Sequence, residues 1–279
     1  MTVAAEVGSG TALREQLAVL LGGTPELRVA TGSEMPSAAA DLAVGPALLT
    51  RVAASDGTGW LRLYSPAPTV GFSRRDAREP GFADAVAVAA EQGFQSAVRA
   101  PGGRAAAYHR STLCFDLVVP DRGADAVSRL AALGEVLAAV LREQGVDARV
   151  GPVPDEYCPG RYSVNGGGTA KLIGTAGRRV RGALLLGGSI VVADAAPLRA
   201  VIGAVYPALG LHCDPESVGA AADLGFTGSV EDMQALLLAT LGTATGLRPA
   251  PLPPADDPPP DRADPRGRTR PPDPSGPRS

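Results

Sequence analysis

Strand and helix patterns that follow no regular βα rhythm predict an α/β (α+β) fold, a mixed and largely antiparallel sheet packed with helices. Three observations carry that expectation. The stretch "STLCFDLVVP" alternates, with Leu113, Phe115, Leu117 and Val119 on one face, as a strand with one buried side does. "AKLIGTAGRRVRGALLLGGSIVVAD" reads as a β-hairpin, two apolar runs joined by a basic turn. "DAVSRLAALGEVLAAVLREQG" reads as a helix, with Asp125 as N-cap, a stripe of Val127, Leu130, Leu137 and Leu141, and Gly145 at its end. Consecutive strands joined by short turns imply antiparallel pairing with helices laid on the sheet.

The remaining elements follow from local signals. "TGWLRLYSPAPTVGF" makes two short strands separated by the prolines of "SPAP". "DAAPLRAVIGAVY" and "SVEDMQALLLATLG" are helices, the second opening with a Ser229/Asp232 capping pair. From Arg248 to Ser279 the chain holds 12 of its 26 prolines, and Leu252 is the only large apolar side chain there. Such a segment cannot bury enough surface to offset its ordering entropy. Residues 248–279 are therefore expected to be a disordered Pro/Asp/Arg-rich tail behind a single domain spanning 1–247.

Composition narrows the function classes. An apolar share of 45% with 20% charged residues suits a globular chain with a real core. A net charge of −3 argues against a nucleic-acid partner. Three cysteines, Cys114, Cys158 and Cys213, do not make a disulfide framework, so a cytoplasmic protein is expected. The N-terminus lacks a signal-peptide pattern and no apolar run is long enough to span a bilayer, so no membrane association is expected. With His109 and His212 as the only histidines, a His-rich metal site is excluded and no metal is expected.

Four stretches carry candidate chemistry. In "RAPGGRAAAYH" the adjacent Gly102 and Gly103 let backbone approach a ligand, and Arg99 and Arg104 can meet an anionic group; an ordinary turn has the same composition. His109 at its end reads by itself as a packed or capping residue. In "DEYCPGRYSVNGG" Cys158 precedes a Pro-Gly turn in a polar loop, where a thiol is accessible, whereas Cys114 sits inside an apolar strand. Context leaves Cys158 open between a reactive and an inert thiol. "AKLIGTAGRR" holds Lys171, the only lysine against 25 arginines, which suggests a site where a compact ammonium serves and a guanidinium does not. Gly174 and Ala176 lie at alternate positions and leave room beside that strand, and "LLLGGSIVV" forms the second arm.

These stretches resemble the biotin/lipoate A/B protein ligase superfamily, in its lipoate–protein ligase A and octanoyltransferase branch. The resemblance runs from about Ala39 to Leu241. "AAADLAVGPALL" is similar to the branch's first helix, "WLRLYSPAPTVGFSRRD" to its strand pair ending at a glycine, here Gly71, and "RAPGGRAAAYH" to its Gly-rich ligand loop with one extra residue before Tyr108. "AKLIGTAGRR" matches the Lys-x-x-Gly-x-Ala signature, and "LLLGGSIVV" matches the following strand, with Gly187 where the family has a histidine.

The resemblance implies the biotin/lipoate protein ligase catalytic-domain fold with an apolar tunnel for an octanoyl or lipoyl chain. Cys158 and Lys171 take the catalytic positions, the cysteine carrying an acyl thioester and the lysine orienting the acyl carbonyl at the tunnel mouth. Substrate-binding positions are Gly71, Arg99, Gly102, Gly103, Arg104, His109, Gly174, Ala176, Gly188 and Ser189. The implied activity is cysteine-dependent transfer of an octanoyl or lipoyl group from acyl carrier protein to a lysine of a lipoyl domain, in 2-oxoacid dehydrogenases or the glycine cleavage H protein. That route requires no cofactor and suits a monomer. An ATP-dependent lipoate–protein ligase, which would use ATP and Mg, and a non-catalytic acyl-binding member are the alternatives.

Overall fold

The order of elements is α1 (Val3–Leu21), β1 (Glu26–Thr31), α2 (Ala38–Ala54), β2 (Gly59–Tyr64), β3 (Thr69–Phe72), α3 (Phe82–Glu91), β4 (Gln95–Val98), β5 (Ala106–Tyr108), β6 (Thr112–Pro120), α4 (Ala126–Glu143), β7 (Ala148–Val150), β8 (Val164–Gly166), β9 (Ala170–Val180), β10 (Ala183–Val191), α5 (Ala196–Ala208), α6 (Val230–Gly242) and β11 (Gly246–Pro249). The structure, a computed structural model, describes residues 3–32, 35–55, 57–123 and 125–254. Eight strands form one mixed sheet in the order β11-β1-β2-β6-β10-β9-β8-β7, and three form a small sheet in the order β4-β3-β5. In the large sheet only β1 pairs in parallel, with β2 and β11; every pairing from β2 through β7 is antiparallel.

The hairpin forms as its sequence predicts. β9 and β10 pair in register from Val180/Ala183 to Ile173/Ile190, turning over Arg181 and Gly182. β6 buries Leu113, Phe115, Leu117 and Val119 in a core shared with α1, α4 and α6. Its alternate residue Val118 packs on the opposite face, with Trp60, Leu185 and the α2 residues Leu48, Leu49 and Val52. A further core joins α3 and α5 to the small sheet. The prolines of "SPAP" do separate β2 from β3, and the break sends the two strands into different sheets.

Local signals explain the helix ends. Asp125 caps α4 by accepting from Val127 N and Ser128 N, and Gly145, at φ 82°, ends it. Ser229 and Asp232 form the capping box of α6. The buried stripe of α4 is Leu133, Val136, Leu137, Val140 and Leu141, and Val127 is 54% exposed. At 3.6 residues per turn Val127 falls roughly 80° round the helix from Leu137, outside the face that meets the sheet.

Residues 248–254 of the expected tail belong to the fold. Arg248 and Pro249 belong to β11, which covers the edge of β1; Ala250 N donates to Val29 O at 2.8 Å, and Ala250 and Leu252 pack against the α2 core. Main-chain pairing with an open sheet edge needs no apolar side chains, so hydrophobicity gives no sign of it. Residues 255–279 of that tail lie outside the described residues. Among the described residues no helix is long and apolar enough to cross a membrane.

A chain ended at Gly246 should melt several degrees below one ended at Pro254, because it leaves the β1 edge uncovered; each kcal/mol is worth about 2–4 °C at this size. Equal melting temperatures in a calorimetric scan would show that β11 contributes nothing.

Candidate active site

Strand alternation puts small residues where α2 crosses the large sheet. Two cross-strand rows share the face toward α2: Tyr64, Cys114, Ser189 and Gly174 in one, Arg62, Asp116, Gly187 and Ala176 in the next. Leu42 and Pro46 of α2 lie above them, and the missing side chains leave a cleft. Arg99, Ala106 and Tyr108 of the small-sheet region wall it on one side, and Tyr157, Cys158 and Lys171 close its end.

The cysteine loop is held from below. Glu156 is 2% exposed and accepts from Val153 N (3.2 Å), Gly160 N (2.8 Å), Ser163 Oγ (3.0 Å) and Lys171 Nζ (3.3 Å). Lys171, 1% exposed, also donates to Tyr157 O at 3.1 Å and Cys158 O at 2.7 Å, and its ammonium lies 4.8 Å from the centre of the Tyr157 ring. From α5, Tyr206 Oη accepts from Cys158 N at 2.5 Å and donates to Ala105 O at 3.0 Å. Both peptide groups of the cysteine are thus bonded, and the residue is held at φ 42°, a left-handed conformation that few non-glycine residues adopt.

Two donors converge on the sulfur. Arg104 N lies 3.3 Å and a guanidinium nitrogen of Arg99 3.4 Å from Cys158 Sγ. A guanidinium and a main-chain N–H suit a nucleophile whose working form is the anion. Gly103, at φ 106°, makes the approach possible, since a Cβ there would sit 2.7 Å from Cys158 Sγ and 2.8 Å from the Arg99 guanidinium. Burial lifts the Tyr108 phenol to about 12 and pushes those of Tyr157 and Tyr206 well above the usual range, so all three stay neutral around the site. Cys114 is buried with its thiol pushed up by desolvation, and Cys213 is likewise buried, its thiol raised to about 11.

The positions expected to bind substrate divide. Arg99, Gly174, Ala176, Gly188 and Ser189 line the cleft with Cys158 and Lys171. Gly102, Gly103 and Arg104 border an adjoining surface groove with Arg74, Arg75 and Pro159. The Arg104 side chain turns to Asp76 (3.0 Å) and Glu79 (2.8 Å), leaving its main chain to meet the sulfur. Gly71 stands behind the wall, where a Cβ would crowd the Tyr108 ring at 3.0 Å and Arg99 Cδ at 3.4 Å. His109 is buried outside the cleft, its ring bonded to Thr112 Oγ1 (3.1 Å) and Asp194 O (2.7 Å), a packed residue as its local sequence suggests. Lys171 lies beneath the cysteine loop, with its ammonium engaged by loop acceptors, and not free at a tunnel mouth. Glu156, Tyr206 and Asp116 went unnoticed in the sequence. "DEYC" is a signal for Glu156 only once the lysine that needs a buried partner is known.

Gly103→Ala should change the alkylation rate of Cys158 by iodoacetamide several-fold, because its Cβ displaces the sulfur or Arg99. Gly102→Ala, with nothing within 4 Å of the added atom, should leave the rate unchanged. Equal rates in both variants would remove Gly103 from the site.

Burial also raises the Asp116 carboxyl to about 6, against the opposing pull of Arg62. A folded-state value above the unfolded one means that this carboxyl costs the native state little at low pH, and that its contribution to stability is lost as pH rises through about 6. Asp116→Asn should therefore melt close to wild type near pH 4, and be more stable by about 2 kcal/mol near pH 8. A stability difference independent of pH would show that the carboxyl titrates normally.

The sequence and the fold have counterparts in known proteins. Residues 37–222 match the family described as the lipoyl protein ligase A/B catalytic domain. An octanoyl-[GcvH]:protein N-octanoyltransferase of Geobacillus kaustophilus is 30% identical over 142 residues, 50% of this chain and 50% of that relative. One from an Exiguobacterium species is 26% identical over 204 residues, 69% of this chain and 72% of that relative. Among solved structures, a bipartite lipoate protein ligase of Thermoplasma acidophilum, described with its E2 lipoyl domain, superposes with a TM-score of 0.65 at 22% identity, covering 83% of this chain and 89% of that one. A lipoate-protein ligase A bound with ATP gives 0.65 at 19% identity, covering 83% and 90%. These two likenesses show the fold, and the match to more than half of the sequence shows the family: the chain belongs to the lipoyl protein ligase A/B catalytic domain family.

Proposed function

We propose that this protein transfers an acyl group of octanoyl length between lysines of lipoyl-type proteins through a thioester on Cys158. The observation that carries the reading is a cysteine in a left-handed loop at the end of a small-residue cleft, with a main-chain N–H and a guanidinium facing its sulfur. Relatives named as octanoyl-[GcvH]:protein N-octanoyltransferases favour an acylated H protein as donor over acyl carrier protein.

In the first half-reaction the Cys158 thiolate attacks the acyl carbonyl. The C–S bond forms, the C–N bond breaks, and the donor lysine leaves as an amine after taking a proton. In the second, the amine of an acceptor lysine attacks the thioester carbonyl, the thiolate leaves, and the new amide nitrogen gives up its proton to solvent. Each tetrahedral intermediate places negative charge on oxygen beside the sulfur, within reach of the Arg104 N–H and Arg99. Lys171 acts as a positioning residue, fixing the loop through Cys158 O. Neither half-reaction consumes a nucleotide.

Intact-mass spectrometry after incubation with octanoylated H protein should show one octanoyl adduct per chain, lost in Cys158→Ser and kept in Cys114→Ser and Cys213→Ser. The same assay with octanoyl acyl carrier protein tests the other donor. Lys171→Arg should slow adduct formation by about tenfold or more, since its larger head does not fit the Glu156 pocket. It should also lower the melting temperature. An adduct that persists in Cys158→Ser, or activity that depends on ATP, would exclude the thioester route.

A further inference from the structure

A carboxylate without a hydrogen bond among the described residues lies on the floor of the cleft. Asp116 projects from β6 on the α2 side of the sheet, with a side chain 14% exposed. The nearest cation among the described residues, Arg62, approaches Asp116 Oδ2 only to 3.8 Å. Arg62 is engaged by Asp41, through its main-chain carbonyl at 2.9 Å and its carboxylate, and its guanidinium stacks 3.6 Å from the centre of the Tyr64 ring. No hydrogen bond to the Asp116 carboxylate occurs among the described residues. Glycines flank it: α2 approaches closely at Gly45, where a Cβ would lie 2.6 Å from Oδ1, and Gly187 of β10 presents no side chain beside it, a Cβ there lying 3.5 Å from Oδ1.

Register relates this carboxylate to the reacting end. Asp116, Gly187 and Ala176 stand two residues along their strands from Cys114, Ser189 and Gly174, and a Cβ on Gly174 would touch Lys171 Cε at 3.4 Å. Two strand residues span about 7 Å. An acyl chain attached at Cys158 and laid past Gly174 thus brings its distal half over Asp116. A plain alkyl chain would strip water from the carboxylate and offer it nothing in return. A group able to donate a hydrogen bond would complete it.

We propose that Asp116 is the specificity-determining residue of this cleft and selects acyl chains that carry a hydrogen-bond donor, a hydroxyl or amine, on their distal half over plain octanoyl. The inference rests on the reading of the cleft as an acyl site, and it makes this protein's substrate class narrower than the relatives' names. Sites built around a buried polar group reject analogues that lack its partner far more strongly than apolar pockets reject an extra methylene.

Titration calorimetry on the full chain at neutral pH tests this, with octanoate and a set of octanoates bearing one hydroxyl on a distal carbon. At least one hydroxylated acid should bind about tenfold or more tightly than octanoate. Asp116→Leu should reverse that order, and the near-isosteric Asp116→Asn should shrink it should the leucine variant fail to fold. The proposal is overturned if octanoate binds as tightly as every hydroxylated acid, if no acid binds, or if folded Asp116 variants keep the wild-type ratio. A thioester formed on Cys158 without this preference would sink the inference and leave the transferase reading standing. The preference without any thioester would do the reverse.

Discussion

The buried pair of Lys171 and Glu156 is the contact on which the geometry of the site depends. Both side chains are 1% exposed, so each is a charge that the interior tolerates only because the other is there. Between them they gather loop groups as distant in sequence as Val153, Ser163 and the carbonyl of Cys158. The loop has almost no regular structure of its own, so the cysteine is kept at positive φ by this pair through its carbonyl and by Tyr206 through its N–H. Opening such a pair leaves an uncompensated buried charge, a cost of about 3–5 kcal/mol, comparable with a large part of a domain's stability.

From that anchor the site assembles by subtraction as much as by addition. β9 and β10 are long, well-paired strands whose α2 face carries only small residues at Gly174, Ala176, Gly187 and Ser189, before the larger Leu185. Regular hydrogen bonding keeps those positions rigid while the missing side chains leave the cleft. Gly103 plays a similar part in the opposite wall, where its bare backbone admits both the sulfur and the Arg99 guanidinium. Three separately built elements thus meet at Cys158: the loop clasped by Lys171, the glycine turn before β5, whose Arg104 N–H donates to the sulfur, and α5, whose Tyr206 accepts from Cys158 N.

Charge is distributed along the cleft with a purpose that the fold alone does not require. Arg99 stands beside the sulfur, and Asp41, Arg62 and Asp116 form a second polar group further along the same sheet face. A cleft meant only to accept a hydrocarbon would be lined there by apolar side chains, as the neighbouring row of Trp60, Val118 and Leu185 is. Arg62 is completely buried, and burial without its carboxylate partners would be prohibitive. The acidic partners therefore belong to the cleft's construction, and the one that faces the cavity, Asp116, has no hydrogen bond among the described residues.

The sequence by itself determined the fold class, the hairpin, the capped helices and the stretches from which the site is made, because each rests on periodicity, capping or spacing confined to a dozen or so residues. It also marked Cys158 by its polar loop and Lys171 by its singularity. Tertiary structure alone decided what those residues touch. Lys171 stands three residues before Gly174, yet its ammonium turns beneath the cysteine loop, since Glu156 and two carbonyls satisfy it there. His109 and Gly71 lie in stretches that resemble the family's ligand contacts but fall behind the wall. In the sequence Asp116 is one polar step in an apolar strand, and only the fold brings Gly45 and Gly187, far from it in sequence, to either side. Strand β11 escaped notice because main-chain pairing carries no side-chain signature. Contacts of this kind depend on which distant groups arrive at the same place, and no local pattern encodes that.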